Sequence, residues 1–308
     1  MLRPRRLPLL ALLLAVAVPA AARTLTVGPG GAFARLSAAV AAAQDGDLVR
    51  IDPGIYSDCA ILRRSNVTIE GASEDRTVLI DRICDNKAIL VITGNNATVR
   101  NLTLARARVP WGNAAGIRAA GRDLLVSHVR FVDDQNGILS APQPDGTITV
   151  RDSEFIRDGA CIGACAHGIY AGPLRLLRVE HTIFRGTRQG HHLKSRASRT
   201  EVIDCVFADG PDGTASYHID LPNGGALLAT GNLFEKGPRA ENQHAIISIG
   251  EENTARPTPS IEIANNAAHD DGAYRTIFVV NDTKTAAVLR DNRLFGAITP
   301  LSGPGTSQ

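Results

Sequence analysis

The chain has 308 residues, with 33 Lys or Arg against 31 Asp or Glu, so its formal net charge at neutral pH is +2. A charge so close to zero argues against general binding to nucleic acid or to a membrane surface. No Pro/Ser/Gly-rich linker divides the sequence, so we expect one domain at residues 23–308.

Residues 1–22 have the composition of a secretory signal peptide. Arg3, Arg5 and Arg6 form a basic start, an apolar run follows, and small residues stand at Ala20 and Ala22. The apolar run is too short for a membrane helix, and no later segment has enough continuous apolar sequence for one. We therefore expect a periplasmic or secreted protein without a membrane span, cleaved near Ala22.

The first predicted elements of the mature chain form an N-terminal cap at about residues 28–56. The segment GGAFARLSAAVAAAQDGD, residues 30–47, predicts a short amphipathic helix, and LVRIDPGIY, residues 48–56, predicts a strand. An open end of stacked strands exposes unpaired backbone groups, so we expect the helix to cap it.

A six-residue strand pattern then recurs every 23 to 34 residues, with apolar first and last positions and a small or polar fourth position. The copies are VRNLTL (99–104), VSHVRF (126–131), VRDSEF (150–155), VEHTIF (179–184), VIDCVF (202–207), ATGNLF (229–234), IANNAA (263–268) and LRDNRL (289–294).

A second short strand follows most copies of the pattern. We expect equivalent inward positions in these second strands at Ile117, Ile138, Ile169, Leu193, Ile219, Ile247 and Phe278. Short strands of this kind bury their apolar side only by stacking on the next repeat. The pattern therefore predicts an all-β parallel β-helix, with coils at about residues 57–300.

The predicted helix, the segment DGDLVRIDPGIY (45–56) and the repeats together resemble the right-handed parallel β-helix superfamily of pectate lyases and related polysaccharide enzymes. The resemblance covers essentially the whole mature chain. It implies an internal ladder of small or polar residues at the fourth repeat position, here Ser153, Thr182, Cys205, Asn232, Asn266 and Asn292. Because one fold hosts many activities, the function has to be inferred from the site residues.

Five cysteines in an exported chain indicate two disulfides and one remaining thiol. CAIL at Cys59 and CDNKAIL at Cys84 look like one site on successive repeats, so we expect these two to pair. Cys161 and Cys165 lie in one loop and are also expected to pair. Cys205 then remains, as a buried small side chain rather than a catalytic thiol.

Polar and charged residues concentrate on three successive coils. If Leu193 points inward, strand alternation turns His192, Lys194 and Arg196 outward together. The neighbouring coils then place Tyr170 and Asp220 on either side of Lys194, and His218 beside His192. His167, His191 and Tyr217 form a further column just upstream. The predicted catalytic residues are Tyr170, His192, Lys194, Arg196, His218 and Asp220, and the predicted substrate-binding residues are His167, His191 and Tyr217, with Arg239 and His244 from the loop at 235–244.

This composition suits β-elimination on an acidic, uronate-containing polysaccharide or oligosaccharide. The reaction needs a base, a stabiliser for the developing negative charge, and an acid for the leaving oxygen. We expect Lys194 or His218 as the base and Arg196 as the carboxylate clamp. Tyr170 or His192 would be the acid, and Asp220 would orient the base.

Several alternatives stay open. Superfamily lyases often use calcium, but no compact acidic cluster accompanies the site; Asp133, Asp134, Asp158, Asp209 and Asp212 are expected in solvated turns. We therefore expect no cofactor, with calcium as an open alternative, and a monomer. Glycoside hydrolysis by Asp220 with Glu251, Glu252 or Asp212 is the first functional alternative, uronate epimerisation the second and a non-catalytic carbohydrate-binding solenoid the third.

Overall fold

The structure is a computed structural model, and it describes residues 21–308. The predicted signal peptide, residues 1–22, therefore lies almost wholly outside the described residues. These residues contain one helix and 32 strands. No helix among them is long and apolar enough to cross a membrane.

In chain order, the elements are β1 Thr24–Val27, α1 Leu36–Ala42, β2 Leu48–Ile51, β3 Gly54–Tyr56, β4 Ala60–Leu62, β5 Thr68–Glu70, β6 Thr77–Ile80, β7 Ala88–Ile92, β8 Ala97–Ala105, β9 Ala115–Ala119, β10 Leu124–Val132, β11 Asn136–Ser140, β12 Gln143–Arg151, β13 Glu154–Ile156, β14 Ala160–Ile162, β15 Ala164–Ala166, β16 Ile169–Ala171, β17 Leu174–Glu180, β18 Ile183–Arg185, β19 Leu193–Ser195, β20 Arg199–Ile203, β21 Val206–Ala208, β22 Ile219–Leu221, β23 Ala226–Thr230, β24 Leu233–Lys236, β25 Ala245–Ile249, β26 Ile261–Ala264, β27 Ala267–Asp270, β28 Thr276–Asn281, β29 Ala287–Arg290, β30 Arg293–Phe295, β31 Ile298–Ser302 and β32 Gly305–Ser307.

The strands stack into a parallel β-solenoid of about ten turns. The ten-stranded sheet consists of β4, β7, β9, β11, β16, β19, β22, β25, β28 and β31. Twenty other strands form a second sheet, in which β8 and β10 pair along two successive stretches on either side of a bend. The remaining pair, β14 and β15, forms an antiparallel hairpin.

The bend inside each repeat is made by its third residue. These residues have φ between 45° and 70°, in the left-handed region that Gly, Asn and Asp adopt most readily. The residues are Asn101, His128, Asp152, His181, Asp204, Gly231, Asn265 and Asp291. His128 and His181 are thus turn residues.

The fourth residue of each repeat points inward, and the predicted ladder is present. The Cys205 amide donates to Asn232 Oδ1 at 2.9 Å, the Asn232 amide to Asn266 Oδ1 at 2.9 Å, and the Asn266 amide to Asn292 Oδ1 at 3.1 Å. Cys205 is buried, and burial raises the pKa of its thiol to about 12. A thiol of this kind stays protonated, so Cys205 is a packing residue.

The last position of the repeat builds an aromatic column in the core. Phe131, Phe155, Phe184, Phe207 and Phe234 stack with centroid separations of 4.5 to 5.1 Å. The parallel strands already set coils about 4.8 Å apart, which is the distance at which aromatic rings stack. The same residue type can therefore repeat on coil after coil.

The predicted inward alignment holds for the second strands up to β25. Ile169 pairs with Leu193, Leu193 with Ile219, and Ile219 with Ile247. Phe278 on β28 lies in the core as predicted, but the residue that pairs with Ile247 is Val279, so the predicted register was wrong by one residue. Adjacent residues on β25 and β28 both pack into the core here, which breaks the strict alternation.

Both predicted disulfides are present, Cys59 with Cys84 and Cys161 with Cys165. The helix is shorter than predicted. Only seven residues are helical, the residue before them, Arg35, makes no side-chain cap, and Leu36, Ala39 and Val40 are buried. Strands β1 to β3, in the segment assigned to the cap, pair within the second sheet. That α1 caps the solenoid stays a prediction.

The aromatic column yields a stability prediction. Phe207→Ala should destabilise the fold by about 3–5 kcal/mol, because it leaves a cavity between Phe184 and Phe234. The matched control is Phe295→Ala, since Phe295 is 54% exposed. Urea unfolding followed by circular dichroism measures both. Equal unfolding midpoints for the two variants would contradict the role of the column.

Candidate active site on the ten-stranded sheet

Three polar side chains stand in register on adjacent strands of the ten-stranded sheet. Tyr170 on β16 pairs with Lys194 on β19, and Lys194 pairs with Asp220 on β22. The sequence predicted this alignment from the repeat, and the structure confirms it. The catalytic roles assigned to these residues stay predictions.

Lys194 lies between two carboxylates. Its Nζ is 3.1 Å from Asp220 Oδ2 and 2.9 Å from Glu252 Oε1, and the residue is only 9% exposed. Burial alone would lower the pKa of Lys194, but the two carboxylates outweigh it, so the pKa is raised. Lys194 is therefore protonated at neutral pH in this arrangement.

Asp220 has the opposite character, because it is fully buried. Desolvation raises its pKa to about 7 in spite of the nearby Lys194 ammonium. Its Oδ1 has no hydrogen-bond partner among the described residues. A carboxyl group that exchanges its proton near neutral pH is suited to acid or base chemistry.

Arg196 is the more accessible cation, with 21% of its side chain exposed. Its Nε donates to the Tyr170 oxygen at 3.0 Å, and its Nη1 also donates to Asn223. Nη1 lies 2.7 Å from Glu252 Oε2, and Nη2 donates to Oε1 at 3.0 Å. This hydrogen bonding lowers the pKa of Glu252 to about 2.

Sequence reasoning missed part of this site. Glu251 and Glu252 were considered only as hydrolytic carboxylates, and Asn223 was not predicted. Glu252 reaches back two coils, because the amides of Glu252 and Asn253 donate to the Pro222 carbonyl at 3.0 and 3.1 Å. The sequence signal for this contact is a pair of glutamates, Glu251 and Glu252, that follows β25 after a single glycine.

The predicted column of His167, His191 and Tyr217 is also present, at the corner just before strands β16, β19 and β22 of the ten-stranded sheet. Their rings stack with centroids 4.7 and 5.2 Å apart. The His191 amide donates to His167 Nδ1, and the Tyr217 amide donates to His191 Nδ1. Both imidazoles therefore act as backbone acceptors, and all three residues are less than 10% exposed.

These contacts keep the two histidines neutral. Burial, reinforced by Lys194 and Arg196, lowers the pKa of His167 to about 3. Burial also holds the pKa of His191 well below its usual value, with His167 as the next cause. His191 Nε2 lies 3.4 Å from Asp220 Oδ2, and Tyr217 donates its hydroxyl to Glu251 at 2.5 Å. Substrate binding by this column stays a prediction.

His192 and His218 do not face outward, so that prediction was wrong. Both are fully buried, and their rings lie against Phe207 in the core. The reason is that β19 begins at Leu193 and β22 begins at Ile219. Each histidine precedes its strand, in a corner where strand alternation does not apply.

The two inward histidines share one carboxylate. His192 Nε2 donates to Asp209 Oδ1 at 2.8 Å, and His218 Nε2 donates to Oδ2 at 3.2 Å. A carboxylate can only accept here, so both Nε2 atoms carry the proton. Burial would raise the pKa of Asp209, but the imidazoles outweigh it and hold the pKa well below its usual value.

His192, Asp209 and His218 are also close enough to hold a metal ion. Hydrogen bonds already use most of their polar atoms, however: Thr187 bonds to His192 Nδ1 at 2.7 Å and the Gly237 amide donates to Asp209 Oδ2 at 3.0 Å. We interpret this set as a structural hydrogen-bond network that fixes the corners before β19 and β22.

Three of the aspartates expected in solvated turns are in fact buried: Asp134, Asp158 and Asp209. The expectation was wrong because their side chains turn inward and accept backbone amides. Asp134 Oδ1 accepts the Ala107 amide at 2.6 Å, and Asp158 Oδ1 accepts the Asp134 amide at 2.8 Å. Burial raises the pKa of Asp134 and of Asp158 well above the usual value.

The two loop residues stand apart from this network. Arg239 forms a surface ion pair with Asp212 at 3.2 Å. His244 is exposed, and its amide bonds to Asn242 at 2.7 Å. Their assignment as substrate contacts stays a prediction.

The protonation states can be measured directly. His167 and His218 should both be neutral at pH 5, because burial lowers their pKa values to about 3 and about 4. In the urea-unfolded chain they should titrate near pH 6.5. Ring nitrogen chemical shifts, assigned with single His→Asn variants, report the charge. Cationic shifts for either ring at pH 5 in the folded protein would contradict the prediction.

No protein-family model and no curated protein sequence matches this chain. Solved structures do. Pectate lyase Pel9A is 14% identical over 90% of this chain and 78% of its own, with a TM-score of 0.53. The A-module of mannuronan C-5 epimerase AlgE6 from Azotobacter vinelandii is 14% identical over 88% and 92%, with a TM-score of 0.50.

A third similar structure is ORF18 of Geobacillus virus E2, at 13% identity over 87% of this chain and 55% of that one, with a TM-score of 0.52. At these identities the likeness concerns the fold alone. The protein has the right-handed parallel β-helix fold that the resemblance of its repeats implied.

Proposed function

We propose that this protein is a carbohydrate-active enzyme that cleaves an acidic, uronate-containing polysaccharide by β-elimination on the outer face of the ten-stranded sheet. The observation that carries the proposal is a pair of cations that already binds a carboxylate. Arg196 and Lys194 together contact both oxygens of the Glu252 carboxylate, and Arg196 Nε also donates to the Tyr170 oxygen. A uronate presents a carboxylate next to the carbon that must lose its proton.

The roles follow from charge and position. Lys194 has a raised pKa, so we assign it, with Arg196, to stabilising the negative charge that develops on the uronate rather than to proton removal. Tyr170 lies beside Arg196 and is the proposed proton-transfer group. Asp220 positions Lys194 through their 3.1 Å contact.

In the proposed reaction, Tyr170 accepts the proton from the carbon next to the carboxylate, and the electrons of that C–H bond form a carbon–carbon double bond as the bond to the glycosidic oxygen breaks. The leaving oxygen then takes the proton back from Tyr170. His192 and His218 are assigned no part, because both are fully buried and their Nε2 atoms bond to Asp209 in the core. Two solved structures of the same fold are named as a pectate lyase and a mannuronan epimerase, which supports an acidic polysaccharide as the substrate class.

We further propose that the protein acts outside the cytoplasm, as a monomer and without a metal cofactor. Its two disulfides support an oxidising location. Nucleic acid is not a proposed partner, because the net charge is close to zero.

Substitution at the site tests elimination. Tyr170→Phe and Arg196→Lys should each lower the rate on the responsive polyuronate by about 10²–10⁴, the usual contribution of a proton-transfer or charge-stabilising group. The rate is measured as the ultraviolet absorbance of the unsaturated uronate product. Tyr56→Phe is the matched control, since Tyr56 lies on β3 and its hydroxyl donates to the Asp52 carbonyl at 2.9 Å.

Unchanged product formation in the Tyr170→Phe and Arg196→Lys variants would remove this site from the mechanism. No unsaturated product from any polyuronate with the folded wild-type protein would reject β-elimination. The remaining candidates would then be hydrolysis, epimerisation and simple binding.

Hydrolysis is a second candidate, favoured by one observation. The two carboxyl groups that contact Lys194 have pKa values shifted in opposite directions: the pKa of Asp220 is raised to about 7, and that of Glu252 is lowered to about 2. An acid that keeps its proton beside an ionised carboxylate is the arrangement that glycoside hydrolysis requires.

Hydrolysis predicts new reducing ends without unsaturated product. Asp220 acts as the acid only while protonated, so the rate should fall as the pH rises through about 7. Asp220→Asn should lower the rate by about 10²–10⁴ and abolish that limb of the pH profile. A variant that keeps the same pH limb would exclude Asp220 as the acid.

A further inference from the structure

We propose that Glu252 closes the site in the unliganded protein by occupying the position of a substrate carboxylate, and that an acidic sugar binds by displacing it. This inference rests on the proposed function, because it takes the Lys194–Arg196 pair as the place where the uronate carboxylate binds.

The contacts of Glu252 are those expected of a bound carboxylate ligand. Both of its oxygens are used, one by Arg196 Nη1 and the other by Arg196 Nη2 together with Lys194 Nζ. A guanidinium presents two parallel donors that match the two oxygens of a carboxylate. The donors of Arg196 and Lys194 are therefore arranged to bind a planar carboxylate.

Glu252 is also placed so that it can leave. Its side chain is 39% exposed, whereas Asp220, the other partner of Lys194, is fully buried. Residues 251–260 contain no strand and are mostly exposed. The segment is anchored through its backbone, with the Glu252 amide on Pro222 and the Arg256 amide on Asn223, both at 3.0 Å. Rotation of one side chain frees both cations without breaking these anchors.

Charge favours a monoanionic replacement. A sugar carboxylate that takes the place of Glu252 leaves the charge around Lys194 and Arg196 unchanged, so the exchange costs little electrostatically. A dianion such as sulfate would add negative charge close to Asp220 and Glu251. The exchange therefore favours a uronate carboxylate over inorganic sulfate. Displacement also lowers the apparent affinity, because binding occurs only in the open fraction of molecules.

The test is the binding of oligogalacturonate and oligomannuronate, measured by titration calorimetry with wild type, Glu252→Gln and Glu252→Asp. Glu252→Gln removes the competing charge and should bind the responsive oligouronate about tenfold more tightly than wild type. Glu252→Asp keeps the charge but shortens the reach, and should give an intermediate gain. The matched control is Glu262→Gln, since Glu262 is an exposed glutamate on β26; its affinity should equal that of wild type.

Equal or weaker oligouronate binding by both folded Glu252 variants would overturn the inference, as would the absence of binding in all of them. An equal gain in affinity for inorganic sulfate would overturn the carboxylate selectivity. The proposed function is judged separately, by the unsaturated product. If wild type forms this product but Glu252→Gln gains no affinity, site closure by Glu252 is rejected and the proposed lyase activity is retained. If Glu252→Gln binds more tightly but no product forms, the lyase activity is rejected and site closure is retained.

Discussion

The parallel pairing of each coil with the next is the constraint on which the rest of this molecule depends. Because the register carries each position onto its equivalent about 4.8 Å away, every side chain becomes a member of a column. Inside the solenoid, columns of one kind are favourable: five phenylalanines stack, and three asparagines pass hydrogen bonds along the axis. Outside it, like charges in one column would repel one another. The column through Tyr170, Lys194 and Asp220 instead places groups of different charge on successive coils.

The buried Lys194–Asp220 contact on the outer face of the ten-stranded sheet contributes little to folding stability. Lys194 and Asp220 are both nearly or fully buried, and a buried ion pair seldom stabilises a fold more than apolar residues of similar size would. The equivalent positions on neighbouring coils hold Leu139 and Ser248, which shows that the solenoid does not require charge in this column. Concentrating perturbed groups on a few coils is the usual sign of a functional site.

The sequence predicted those features that follow from the repeat. The Cys59–Cys84 disulfide and the Tyr170–Lys194–Asp220 alignment depend on counting from one coil to the next. The asparagine ladder is implied by the family resemblance, and the Cys161–Cys165 disulfide follows from the position of both residues in one loop. The wrong predictions concern residues whose position does not follow from the repeat spacing. Val279 replaces Phe278 because two adjacent residues face inward, and Glu252 reaches Lys194 through a loop whose path no spacing encodes. His192 was misplaced because alternation was extended one residue before the start of β19.

The misplaced histidines explain how the interior supports the site. His191 and His192 are adjacent in a corner, where the chain has left one sheet and not yet entered the next, and they face opposite sides. His191 Nδ1 accepts the amide of the next coil, while His192 bonds Asp209 in the core. His218 repeats the inward contact one coil later, on the same carboxylate. Asp209 thus fixes two successive corners, and the strands that begin there carry Lys194 and Asp220. The inward set therefore acts as a positioning device for the outward pair, since a shift of either corner would change the distance between the ammonium and the carboxylate.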